Sequence, residues 1–137
     1  MNNRALIKDY LERSKVRVEA LDLFFKHKSW ANVVRESQEV VELLLKALLR
    51  MHNIEVPRVH DVSDALRASS DQLSPTTRSK LKELTEISKD LRRDRELAFY
   101  GSEDLTPSDF YSEEDAAQAR EGARTVLKIV SAEWRKN

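Results

Sequence analysis

Apolar residues recur along this chain at alternating steps of four and three, the pattern of an α-helix with one buried face. Ile7, Leu11, Ser14, Val18, Leu21 and Phe25 draw the first stripe, and Leu6, Tyr10 and Phe24 widen it. They predict a helix over residues 4–27, closed by the basic run Lys26-His27-Lys28, which suits the negative end of the helix dipole. A second stripe (Trp30, Val34, Ser37, Val41, Leu44, Leu48, Met51) is broadened by Val33, Val40 and Ala47. It predicts a helix from Trp30 to Met51 with Ser29 as its N-cap. A face this wide must meet more than one neighbour, so this helix is expected to be the central rod. Arg35/Glu39 and Glu42/Lys46 have the i,i+4 spacing of ion pairs on its polar side.

Residues 52–59 form a connector broken at Pro57, after which Asp61 can cap a short helix through Ala68 with Val62, Ala65 and Leu66 inward. Ser74-Pro75 is an N-cap followed by proline at the first helical position. The fourth helix is expected to run from Pro75 to about Tyr100, with Leu81, Leu84, Ile87 and Leu91 buried. Residues 101–111 read as a polar loop with Phe110 and Tyr111 tucked back onto the bundle. Ser112-Glu-Glu-Asp115 has the spacing of a capping box and opens the last helix, whose stripe is Ala116, Ala119, Ala123, Val126, Val130 and Trp134. Its alanines imply close approach to another helix, in the same chain or across a dimer. The expected fold is all-α: a single domain over 1–137, an antiparallel up-and-down bundle of four long helices plus a short one.

Composition narrows the chemistry. The 137 residues suffice for one core. Two glycines and three prolines disfavour a sheet-rich chain with many tight turns. Lys+Arg and Asp+Glu both number 24, so no overall field attracts nucleic acid or an anionic membrane, and any polyanion contact has to be local. The absence of cysteine excludes disulfides, thiolate metal sites and cysteine nucleophiles. No apolar run approaches a membrane span and the first residues lack a signal-peptide core, so a cytoplasmic location is expected. His27, His52 and His60 lack the spacing of a helical metal site, and no phosphate loop or nucleophile elbow is present. Neither a metal nor a cofactor is expected.

One stretch remains, Lys89-Asp-Leu-Arg-Arg-Asp-Arg-Glu-Leu-Ala-Phe-Tyr-Gly101, which crowds three arginines beside two aromatics and ends on a helix-stopping glycine. On a helix, Arg93, Leu97 and Tyr100 share one face, while Arg92 and Arg95 share a second ridge. Two readings follow. The arginines form a solvated face balanced by Asp90, Asp94 and Glu96, or Arg92, Arg93, Arg95 and Tyr100 form a site that holds a phosphate through charge-assisted hydrogen bonds.

Several features occur in a telling order: a second helix led by Trp30, then Val56-Pro57 and His60-Asp61, then Arg95-Glu-Leu-Ala-Phe-Tyr-Gly101, then a Tyr111-to-Ala116 entry into an alanine-rich last helix. Over residues 4–132 the chain resembles the HEPN domain family, small all-α domains of prokaryotes often encoded beside minimal nucleotidyltransferases. Competent members of that family carry an arginine, four to six residues, then a histidine, and act as metal-independent ribonucleases across a dimer interface. In one toxin subgroup the pattern is Arg, four residues, His, one residue, Tyr. Here Arg93 and Tyr100 match, but the histidine position is Ala98, and neither Arg92 nor Arg95 has a histidine within reach.

Cleavage by a ribose hydroxyl needs a proton acceptor and a donor near neutral pH, the range of an unperturbed imidazole. Arginine stays protonated, and tyrosine titrates near about 10. The resemblance therefore implies a homodimeric, catalytically degenerate protein that binds a nucleotide or RNA phosphate. It further implies a minimal nucleotidyltransferase as partner in a toxin–antitoxin-like pair, with Tyr100 as the group such a partner would modify. Two alternatives stand beside it: a ribonuclease in which Asp94, Glu96 or His60 replaces the missing base, and a non-enzymatic ligand-binding or oligomerisation module.

Overall fold

A computed structural model describes residues 3–56, 58, 61–100 and 106–136, the side chains of 94–100 excepted. Among these residues seven helices follow one another: α1 (Asn3–Lys26), α2 (Trp30–Met51), α3 (Val62–Ala68), α4 (Pro75–Ser79), α5 (Leu81–Tyr100), α6 (Pro107–Phe110) and α7 (Glu113–Arg135). A 3-10 turn over Ser70–Gln72 joins α3 to α4, and no strand occurs among the described residues.

Helix α2 is the central rod. More than half of its side chains are buried, with Val33, Val40, Leu44, Leu45, Leu48 and Leu49 sealed from water. It packs against α7, α1 and α5, while α1 and α5 lie on its flanks. Polar contacts give the directions. Asn3 Nδ2 donates to the Arg50 carbonyl at 2.9 Å, and the Arg4 guanidinium lies 4.6 Å from the Trp134 ring centre. The start of α1 therefore meets the ends of both α2 and α7. Arg92, late in α5, reaches Glu42 in the middle of α2, and Thr77, just before α5, meets Glu133 at the end of α7. The four long helices alternate in direction, as an up-and-down bundle requires.

In such a bundle α2 and α7 form the parallel, diagonal pair, yet here they are in close contact. Ala116, Ala119 and Ala123 make this possible, all three buried. The close approach that the alanines imply is thus met within the chain.

The α1–α2 corner closes with a left-handed residue. Ser29 N donates to Phe24 O at 2.9 Å and Lys28 N to Phe25 O at 2.9 Å, with Lys28 at φ 58°, the bonding pattern of a Schellman motif. The end of α2 repeats it, with Ile54 N to Leu49 O at 2.9 Å, Asn53 N to Arg50 O at 3.1 Å, and Asn53 at φ 57°. Ser29 takes the expected N-cap position of α2, its carbonyl accepting from Val33 N at 3.1 Å, but its side chain does not cap. Its hydroxyl accepts from Asn32 Nδ2 at 2.8 Å and makes no bond to the helix backbone, because Ser29 is already committed to closing α1.

The other caps are as expected. Asp61 accepts from Ser63 N at 2.9 Å, Ser74 from Thr77 N at 3.2 Å, and Ser112 and Asp115 exchange both bonds of a capping box. Two departures concern the middle of the chain. The helix expected from Pro75 is broken at Lys80, a turn with φ −99° and ψ −1°. The Arg78 guanidinium bonds the carbonyls of Ser70, Asp71 and Leu73, and the Thr77 hydroxyl bonds Glu133, so α4 is held to neighbours other than α5. The loop expected over 101–111 contains α6, opened by Thr106 and Pro107 with the same serine/threonine-proline logic as α4. Tyr111 is buried, as expected, but Phe110 is exposed rather than tucked in, since a single turn cannot aim both rings at the core.

A left-handed conformation costs a side-chain-bearing residue roughly 1–2 kcal/mol, and glycine escapes it. Lys28→Gly is expected to raise the free energy of unfolding by about 1 kcal/mol, with a smaller gain for Asn53→Gly, because asparagine tolerates this region. Urea denaturation midpoints would check both, and a lower midpoint for Lys28→Gly would contradict the assigned strain.

Candidate functional site

The arginine-rich stretch forms the second half of α5, and consecutive residues on a helix point about 100° apart. Arg92 turns towards α2, where its Nη1 lies 2.9 Å from Glu42 Oε1. Beside it, Lys89 Nζ sits 3.6 Å from Asp61 Oδ2 and 3.3 Å from Asp64 Oδ1, tying α5 to the start of α3. Burial works against the charge on Asp61, but two hydrogen bonds from Ser63 together with Lys89 and Arg92 outweigh it and hold the carboxyl below its ordinary value. This side of α5 is a structural strut.

Arg93 faces the other way, onto a half-open groove of about 190 Å³ between α5 and α7. The floor is apolar, with Val34, Ile87, Leu91 and Ala119, and the buried Tyr111 forms a wall. Gly122 belongs to it for a steric reason: a Cβ there would stand 3.1 Å from Ile87 Cγ2, tighter than ordinary contact. The rim is polar, with Asp90, Arg93, Asp115 and Gln118. Arg93 is 72% exposed and its Nη2 lies 3.8 Å from Asp90 Oδ1. Asp115 is held by the backbone and hydroxyl of Ser112 at 2.9 and 3.0 Å. Among the described residues, the guanidinium of Arg93 stands exposed on the polar rim of this groove, above its apolar floor.

The expected site residues are therefore distributed. Arg92 and Arg93 stand on different faces of α5. Arg95, Ala98 and Tyr100 are carried by the same helix, but their side chains, like those of Asp94 and Glu96, lie outside the described residues. His60 and Gly101 lie outside them altogether. Asp90, Tyr111, Asp115 and Gln118 were not legible as groove residues, because they come together only when α7 is laid beside α5.

A second polar cluster went unread in the sequence. Glu133, only 4% exposed, accepts from Ser74 Oγ at 2.8 Å and from Thr77 Oγ1 at 2.7 Å, and its other oxygen lies 3.5 Å from His52 Nε2. Burial alone would raise its pKa, yet the two hydroxyl donors and the neighbouring His52 and Lys136 prevail and hold it below the ordinary carboxylate range. The cluster joins the ends of α2 and α7 to the start of α4 and borders an open pocket of about 430 Å³. No group of three or more histidine, aspartate or glutamate side chains placed to hold a metal ion occurs among the described residues. Nor is any helix among them long and apolar enough to cross a membrane.

What the fold and the groove define is a small all-α domain with a guanidinium displayed beside a cleft. The sequence model of the HEPN domain matches residues 7–134, and the chain belongs to the HEPN domain family. Comparison with curated proteins and with solved structures gives no match.

The depressed pKa of Glu133 fixes the sign of a pH effect. Its stabilisation is fully present above the unfolded carboxyl value of about 4.3 and is lost as pH falls through the lower folded value. Glu133→Gln is expected to destabilise at neutral pH by roughly 1–3 kcal/mol and to flatten the acid limb of the stability curve. Urea titrations between about pH 3 and 7 would show it, and an unchanged acid limb would remove Glu133 from the account.

Proposed function

We propose that this HEPN protein is a catalytically degenerate, homodimeric member of its family that binds a nucleotide or an RNA phosphate. In this reading its working partner is a minimal nucleotidyltransferase, in a toxin–antitoxin-like pair in the cytoplasm. The observation that carries the reading is the pairing of Arg93, exposed at the groove rim, with Ala98 where the family's ribonucleases have histidine. A guanidinium binds phosphate bidentately and stays charged at all working pH values. It cannot accept a proton, so Arg93 would hold a phosphate without supplying general-base chemistry.

Arg93 is the first phosphate ligand in this proposal, with Arg95 further along α5 and Tyr100 as the residue a nucleotidyltransferase would modify. Arg92 contributes less, since its ion pair with Glu42 already engages it in holding α5 to α2.

Three variants separate these roles. Arg93→Ala is expected to abolish the rise in melting temperature that a nucleotide gives the wild type, while Arg92→Ala lowers the melting temperature of the unliganded protein. Ala98→His, in a chain that leaves RNA intact, is expected to create cleavage about 10²-fold or more above the wild type. Wild-type cleavage that depended on Arg93 would refute the degenerate reading. A histidine variant as inert as its parent would show that more than the imidazole has been lost.

A further inference from the structure

Most of the arginines described so far are answered by carboxylates. Arg17 meets Glu36 and Glu39, Arg67 meets Asp64, Arg92 meets Glu42, and Arg120 and Arg124 share Asp22. Arg50, in the last turn of α2, is different. Its guanidinium lies 6.0 Å from the Tyr10 ring centre, its Nε is shut off from water with no acceptor, and no carboxylate answers it among the described residues. A cation at the end of a helix suits the dipole, which accounts for a positive charge at this position. It does not account for the donors, since a buried N–H without a partner destabilises the fold.

Arg50 lines an open pocket of about 240 Å³, where the start of α1 meets the ends of α2 and α7. Asn3, Arg4, Asn53 and Trp134 line it too, and among the described residues no acidic side chain does. That separates it from the groove at Arg93, whose rim carries Asp90 and Asp115. Its polar groups are held in place. Arg4 lies 4.6 Å from the Trp134 ring centre, Asn3 donates to the Arg50 carbonyl, and Asn53 sits in the left-handed turn that closes α2.

The geometry points to a binding site for a phosphate-type dianion in this pocket, held between Arg4 and Arg50. Charge and size both select it. Two guanidiniums with no carboxylate beside them match a doubly charged ion, and phosphate carries that charge on one centre with oxygens for both forks and for the amides. A single carboxylate offers half the charge and fewer acceptors. The volume falls below the roughly 300–1,000 Å³ of pockets that enclose larger organic ligands, so a compact tetrahedral oxyanion fits it better. The site is also separate from the one proposed above: Val34 of the groove and Arg50 of the pocket stand roughly 24 Å apart along α2. An ion here ties the start of α1 to the ends of α2 and α7, so its binding adds to the stability of the native state.

Thermal melts in rising sodium phosphate test this at about pH 8, where the ion is mainly doubly charged, with sodium chloride holding the ionic strength constant. The wild-type melting temperature is expected to rise with phosphate, and Arg4→Gln and Arg50→Gln each to need about tenfold more phosphate for the same rise. Arg4 is exposed, so its variant keeps the result readable if Arg50→Gln loosens the fold. Arg93→Ala is expected to respond as the wild type does. Dimethyl phosphate, a singly charged diester, is expected to act about tenfold more weakly than phosphate. No rise beyond that in chloride, or a rise that both the Arg4 and Arg50 variants retain, would overturn the site. A response lost only in Arg93→Ala would place the ion in the groove and overturn it equally. A diester as effective as phosphate would overturn the choice of a dianion.

Discussion

The approach of α7 to α2 is the constraint on which the rest of the bundle depends. In an up-and-down arrangement these parallel helices occupy opposite corners, where larger side chains would hold them apart. Ala116, Ala119 and Ala123 let the diagonal close, so α2 contacts every other long helix and buries apolar residues nearly all round. The cost falls on the flanks. Helix α5 meets α7 sparsely, and the groove opens where that contact is thin, with Gly122 permitting the nearest approach. The cleft is a by-product of how the core is filled.

Polar contacts hold the bundle's register, with unequal weight. Arg17 spans from α1 to Glu36 and Glu39, and Asp22 takes both Arg120 and Arg124 of α7. These pairs are partly or largely exposed, and each is worth about 1 kcal/mol or less. Glu133 differs because it is buried. Leaving a buried carboxylate without its donors costs far more than an exposed pair gains, so Ser74 and Thr77 specify where α4 must sit. That requirement also accounts for the break at Lys80, since a continuous helix from Pro75 through Tyr100 would not satisfy both the Glu133 bonds and the apolar stripe of α5.

What could be read from the sequence divides along the range of the interactions. Helices α1, α2, α3 and α7 begin and end within a residue or two of the positions that periodicity and capping chemistry indicate, because both signals lie within a few residues of one another. The burial of Leu44, Leu48 and Ala123 follows from the same stripes. The broken fourth helix was not legible, since its cause lies 56 residues away at Glu133. Ser29 holds the N-cap position that its context indicates, but it also closes the helix before, and its hydroxyl meets Asn32 rather than the helix backbone. The exposure of Phe110 was missed because a loop written with two aromatics gives no sign of which faces inward.

The arginine stretch shows how composition can overstate a site. Three arginines within four positions read as one basic patch, but a helix distributes neighbours around its circumference. Arg92 is drawn to Glu42 and becomes part of the scaffold, while Arg93 is left at the rim of the cleft. The cation density available to a ligand is thus lower than the sequence implies, and the groove's own carboxylates lower it further. A bare phosphate would gain little at such a rim. A ligand that also fills the apolar slot gains from both the floor and the guanidinium. In the role proposed for it, the groove suits an aromatic or apolar body joined to an acid group better than a bare anion, a description that fits a nucleotide.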